Sequence, residues 1–300
     1  MGKPSGDGES GFVLVAALWM IAALTALASI YLAYAKTSAS ASVLPGERVQ
    51  AEAAIRAGLE LAAYHALATT DARQKAHGHI ETRLGRARVV VDCRPESARI
   101  DLNAAPKEVL AGLISELGVP ADKADEMVSH ILAWRGDADE KTAQQETDAY
   151  RAAKLRYGPR LGPFGSALEL SLVLGLPEPL VARMQPYVTV YSGEAKVDAL
   201  DADPAVLAAL PQMTPDLLAP LLKLRSDPDA DPAAITKALG PGAQFTNLTP
   251  SKAIRAEIVA DFGDGRKYRA EIVFVLKDKG DEPFDVLAWS DDFDGALPPA

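Results

Sequence analysis

The chain has 300 residues, a formal net charge of −10 and a single cysteine. An acidic surface of this kind repels phosphate backbones, which sets nucleic acid aside as a partner, and one cysteine excludes an intrachain disulfide. The length allows one or two domains with cores of their own beyond any N-terminal segment.

The first eleven residues, MGKPSGDGESG, are polar. From Phe12 to Ala35 no residue is charged. As a helix rising about 1.5 Å per residue, that run crosses a hydrocarbon core of ~30 Å. It exceeds the roughly 7–15 apolar residues of a secretory signal. The small residues Ala33–Ala35 resemble a cleavage site, so removal is the competing reading to a retained anchor. The acidic remainder reads as an exported domain, with the N-terminus in the cytoplasm.

A small polar stretch and Pro45-Gly46 come next, then an amphipathic helix. Arg48, Glu52, Arg56 and Glu60 alternate in sign every four residues, and Ile55, Leu59, Ala62, Ala63 and Ala66 form the facing apolar stripe. "HIETRL" and "ARVVVDCR" flank Gly85 as a hairpin. A second hairpin, Ile254–Phe262 and Tyr268–Leu276, flanks the strong turn "GDG". "YVTVY" (Tyr187–Tyr191) reads as one more short strand. Strands at both ends of a helical middle imply a small antiparallel sheet on the stem helix, with helices inserted between its strands.

The helical middle is duplicated. "RIDLNAAPKEVLAGL" from Arg99 and "KVDALDADPAVLAAL" from Lys196 align without a gap, and the units end "LAWRGD" and "LKLRSD". Each reads as a short extended lead-in, a helix, a turn and a helix. Pro106 suits a first helical turn and Gly118 a helix end. Ser166 and Glu169 have capping-box spacing before "LELSLVLG".

With these residues in view, the chain resembles the minor pseudopilin K family of bacterial type II secretion systems. The likeness rests on Gly11 followed by the apolar run, on Arg99–Leu113, on "GPFGSALELSLVLGLPEPLVARMQPYVTVY" (Gly162–Tyr191) and on Val197–Leu210, in that order. It implies an α+β fold: a pilin-like N-terminal helix packed on a small antiparallel sheet, with a large inserted α-helical domain of duplicated helix-hairpin-helix-like units. The implied layout is a leader (1–11), a transmembrane helix (12–36), the stem and first strands (37–98), the inserted helical domain (99–186), the second repeat with the C-terminal strands (187–290), and an acidic tail (291–300). The family's prepilin peptidase would cut after Gly11, leaving Phe12 as the mature N-terminus. Ala16 then stands at the fifth mature position, where ordinary pilins carry Glu. A carboxylate at the centre of a spanning helix costs about 2.5–3.5 kcal/mol and needs a partner, which a subunit at the tip lacks.

The resemblance further implies a non-catalytic assembly subunit at the pseudopilus tip, an inner-membrane anchor with a periplasmic domain, and no small-molecule substrate. Its implied partners are the minor pseudopilins I, J and H and the inner-membrane secretion platform. It also implies calcium in the acidic segment after Trp134. There Asp137 and Asp139 alternate, as do Glu146 and Asp148, and a bent loop of carboxylates suits a cation that takes roughly 6–8 oxygen ligands. A solvated acidic loop is the equal alternative. Thr147 separates the last two acids where the family has adjacent Glu and Asp, and the leader is less basic than prepilin leaders are.

Other readings compete. Residues 101–135 also resemble a helix-hairpin-helix unit, which would make the chain a membrane-anchored nucleic-acid-binding protein, but the loop "LGVPAD" has no basic patch beside it. No P-loop, HExxH or GxSxG motif occurs. His65, His77, His79 and His130 are scattered, with His77 and His79 read as a solvated pair on a loop. Cys93 reads as a small core residue, and Asn103 as a turn residue before a helix.

Overall fold

The computed structural model describes residues 18–21, 24, 25, 27 and 48–292, apart from 228, 229, 264, 278, 280 and 281. The chain divides into two units, Met1–Ala54 and Ile55–Ala300. In the first, the described residues are helical, and Trp19 is 73% exposed. Most of the expected span, with the leader, Gly11, Phe12 and Ala16, lies outside the described residues. So does the end of the acidic tail, 293–300. Among the described residues no helix is long and apolar enough to cross a membrane.

In the second unit, residues 55–68 continue helix α1 (48–68). The stripe read from its spacing is the face that is buried: Ile55, Ala62 and Ala66 are at most 1% exposed. At about 1.5–3 kcal/mol for each buried Ile or Leu, this face supplies much of what holds helix to sheet. Gly58 lets the helix come close, since a Cβ there would lie 2.7 Å from Ile258 Cγ2 and 3.2 Å from Val89 Cγ1. The short helix α2 (Ala72–Ala76) follows, capped by Asp71.

The sheet has five antiparallel strands in the order β1 (Gly78–Leu84), β2 (Ala87–Pro95), β7 (Ala253–Asp261), β8 (Lys267–Leu276), β9 (Phe284–Asp291). Both hairpins are present. In β2 alternate residues are buried, Val89, Val91 and Cys93 lying on one face and Arg88, Asp92 and Arg94 on the other. β9 was not read from the sequence. It is an edge strand, exposed over Asp285–Leu287, and so carries no clean alternation.

Everything between β2 and its neighbour β7 is the helical insert, 96–252. Its first copy contains β3 (Ile100–Asp101), α3 (Lys107–Glu116), α4 (Ala121–Trp134), α5 (Glu140–Ala152), α6 (Glu178–Met184) and β4 (Val188–Thr189). Its second contains β5 (Val197–Asp198), α7 (Pro204–Ala208), α8 (Pro215–Arg225), α9 (Pro232–Ala238) and β6 (Thr246–Asn247). In each copy the first strand pairs in parallel with the last. "YVTVY" thus shrinks to β4 and closes the first copy instead of joining the main sheet. The second copy shares one buried cluster with the first, Val197, Val206 and Leu207 packing with Ile100, Val109 and Leu110. It therefore sits with the helical insert, where the sequence reading had grouped it with the C-terminal strands. Residues Ala167–Leu172 form a 3-10 turn. Ser166 caps Leu168, and Glu169 accepts from Gly165, so the capping box is not formed as its spacing implied.

Candidate functional site: the helical insert and its junction with the sheet

Two repeated details hold the insert in shape. Arg135, at the end of α4, donates to the carbonyls of Leu102 and Ala105, both at 2.9 Å. Arg225, at the end of α8, donates to Ala202, the equivalent of Ala105, at 2.5 Å. In each copy the end of the second helix is tied to the loop before the first. The repeated aspartates instead diverge. Asp101 accepts from Asn103 N, Ser192 Oγ and Gly193 N, all within its own copy. Asp198, its equivalent, is fully buried and accepts from Arg73, which arrives on α2 from beside the stem.

That contact is one of three bolts at the junction where the insert meets the rest of its unit. Arg73 also reaches Asp201 at 2.5 Å and the Leu248 carbonyl at 2.5 Å, while His77 lies 2.8 Å from Asp201. Burial, then the neighbouring Asp201 charge, pushes the Asp198 carboxyl up to about 6 against the opposing pull of Arg73. At the neck the chain leaves and rejoins the sheet through two serines that hold each other: Ser97 N donates to Ser251 Oγ at 3.0 Å and Ser251 N to Ser97 Oγ at 2.9 Å. Beside them the buried Glu96 accepts from Thr189 Oγ1 and from Arg255 Nε, and Arg255 also holds Glu271. A buried carboxylate with these partners is satisfied, as such groups must be.

Asn103 does more than turn the chain. Its carboxamide brackets one residue of the distant loop, accepting from Phe164 N at 2.7 Å and donating to Phe164 O at 3.0 Å. Leu200 stands there in the second copy and cannot do this. Trp134 anchors the same region, with Phe164 stacked at 6.1 Å and its indole N–H donating to Glu169.

The acidic segment is a helix, α5, and no bent loop. Its Ala, Gln, Glu and Lys content favours a helix, and Asp139 caps it by accepting from Thr142 N at 2.7 Å. Asp137 pairs with Arg135, which holds it at the end of α4. Glu146 is buried against His130 Nδ1 at 2.8 Å, and Asp148 pairs with Arg151 on the exposed side. The structure thus gives each of the four carboxylates its own protein partner instead of bringing them together. Among the described residues no group of three or more His, Cys, Asp and Glu side chains is placed to hold a metal ion. Calcium needs roughly 6–8 oxygens at about 2.3–2.6 Å, and this arrangement does not fit it. Melting scans of the full chain should therefore give the same midpoint in calcium and in chelator. A rise of several degrees with calcium would show that the segment refolds around the ion.

The other candidates have structural partners as well. His79 lies on β1 and pairs with Asp92, so the two neighbouring histidines do not share a loop. His65 Nε2 meets the His77 carbonyl at 2.9 Å. Cys93 is buried in β2, which pushes its thiol up to about 12 and away from nucleophilic use. In the turn between α3 and α4, Gly118 N and Val119 N bond back to Ser115 and Ile114. Those are the amides a helix-hairpin-helix loop would offer to phosphate.

Residues 91–193 match the family model described as type II secretion system (T2SS), protein K. A solved structure, the GspK-GspI-GspJ complex from the enterotoxigenic Escherichia coli type 2 secretion system, contains a chain of similar fold. The TM-score is 0.61 at 17% sequence identity, covering 82% of this chain and 97% of that one. No curated protein matches by sequence. Residues 91–193 thus match the protein K family of type II secretion systems, and the fold is similar to that of a chain in the GspK-GspI-GspJ complex.

Proposed function

We propose that this chain is a non-catalytic assembly subunit that sits at the tip of a periplasmic pseudopilus and binds I- and J-type minor pseudopilins. The observation that carries the reading is the position of the insert. Residues 96–252 leave and re-enter the sheet between two adjacent strands, β2 and β7. A subunit with that bulk on one end of its sheet has no room for another subunit stacked above it, so it belongs at an end of a filament. The solved complex places a chain of this fold with I- and J-type partners, which supports the same assignment here. The N-terminal run supplies an inner-membrane anchor, cut between Gly11 and Phe12 by the prepilin peptidase. Ala16 in place of Glu suits a first subunit, with no earlier N-terminal amine to neutralise.

The test is co-expression of the full chain with the I and J subunits of its own system, followed by affinity capture on the chain. One of each in a single peak by light scattering is the expected result. A chain that elutes alone while I and J remain soluble together would overturn the reading.

A further inference from the structure

A cavity of about 210 Å³ opens where the end of the sheet meets the second repeat. Four arginines line it: Arg94 on β2, Arg99 just before β3, Arg225 at the end of α8 and Arg255 on β7. Its wall also holds three carboxylates, and each is already engaged. Glu96 takes the Thr189 hydroxyl and Arg255. Asp201 takes Arg73 and His77. Asp203 caps α7 by accepting from Ala205 N.

The cations are not balanced in the same way. Arg255 is paired twice, with Glu96 and Glu271. Arg225 has one carbonyl acceptor, Ala202. The side chains of Arg94 and Arg99 make no hydrogen bond or ion pair among the described residues. Arg99 is the telling case, because it is half-buried beside a second guanidinium. Burial first, and Arg255 next, hold its guanidinium below the ordinary arginine value. Asp92, Glu257 and Glu271 line the adjoining cleft with these arginines, and Glu96 and Glu271 attract Arg99, yet neither Arg94 nor Arg99 is joined to a carboxylate by an ion pair. Guanidinium groups present planar forks that match an oxyanion two bonds at a time.

We propose that this cleft is a binding site for a small doubly charged oxyanion of the phosphate class, held by Arg94, Arg99 and Arg225. The three come from the sheet, the neck and the second repeat. A bound dianion would therefore add a fourth bolt at this junction, and it would relieve the repulsion between Arg99 and Arg255.

The probe is inorganic phosphate, titrated calorimetrically into the full chain in detergent, with sodium chloride at the same ionic strength as the reference. Millimolar concentrations keep general salt exclusion small. Saturable phosphate binding that chloride does not reproduce is expected. Arg99→Gln should weaken it at least tenfold, which is about 1.4 kcal/mol. Arg94→Gln, on the exposed rim, should weaken it less. Without phosphate, Arg99→Gln should melt at or above the wild-type temperature, because it removes a half-buried cation for which burial and Arg255 outweigh the attraction of Glu96 and Glu271; a merely structural arginine would lower it. Equal heats in phosphate and chloride, or an Arg99→Gln variant that binds as the wild type does, would overturn the proposal. Should Arg99→Gln fail to fold, the wild-type comparison and Arg94→Gln decide the matter.

Discussion

Gly112→Ala is expected to destabilise the chain by about 3 kcal/mol or more, the upper end of what overpacking does. Gly112 lies on α3, and its equivalent in the second copy is Ala209, at the end of α7. The two equivalent positions meet each other across the insert. A Cβ on Gly112 would lie 1.8 Å from the Ala209 carbonyl oxygen and 2.9 Å from its carbon. On propensity alone the exchange would gain about 1 kcal/mol, since Ala suits a helix interior better than Gly. Sterics reverse that sign. The obstacle is backbone, so no rotamer change relieves it, and Ala209 is held by its own bond to the Ala205 carbonyl at 3.0 Å. The helices would have to part by more than an ångström, from 1.8 Å towards the 3.0 Å that real Cβ contacts keep. Val109, Leu110, Leu113, Val206, Leu207 and Leu210, each at most 2% exposed, would lose their close packing. Against a total of roughly 5–15 kcal/mol for a domain, this is a large fraction. Urea unfolding followed by circular dichroism reads it directly, and a midpoint equal to wild type would mean that α3 and α7 do not cross at this point.

What the sequence shows and hides follows from the range of each interaction. The stem stripe, both hairpins and the duplicated helices are local patterns, with periods of 3.6 or 2 residues and turn residues between them. They were legible for that reason. Helix α5 was not, because it has almost no apolar stripe: of its thirteen residues only Glu146 and Tyr150 are buried. Its carboxylates looked like a cluster in one dimension, and the helix sends them to different sides. Strand β9 was hidden because an edge strand half-exposed on both faces loses its alternation. The bolts leave no local trace at all. Ser97 and Ser251 are 154 residues apart, and Arg73 and Asp198 are 125 apart. The duplication did carry a hint, since aligned copies show Asp101 and Asp198 as the same residue. It does not reveal that the second needs a cation from outside its own copy.

Arg73→Met should cost about 3–5 kcal/mol near pH 8, the range for removing one partner of a buried ion pair. Asp198 would then keep only Leu200 N as a donor, at 3.0 Å, with Asp201 still charged beside it. The loss should depend on pH, and its sign can be worked out. Asp198 has a folded value of about 6, above the ordinary 3.8, so the folded chain holds that proton more tightly than the unfolded chain does. Its contribution to stability is complete below the ordinary value and is lost as pH rises through about 6. Without Arg73 the opposing pull disappears and the carboxyl rises further. The variant then carries the penalty of a buried charge over a wider range, each unit of added shift being worth about 1.4 kcal/mol. At pH 5 Asp198 is neutral in both proteins, and a neutral acid does not require the guanidinium. The difference between wild type and Arg73→Met should therefore shrink by half or more from pH 8 to pH 5. Asp201 sets the floor of the effect, since it loses its own contact with Arg73 and retains His77. Urea midpoints of both proteins at the two pH values measure this. A difference that stays constant with pH would show that Arg73 acts by packing and by its bond to the Leu248 carbonyl, and not by compensating the buried charge of Asp198.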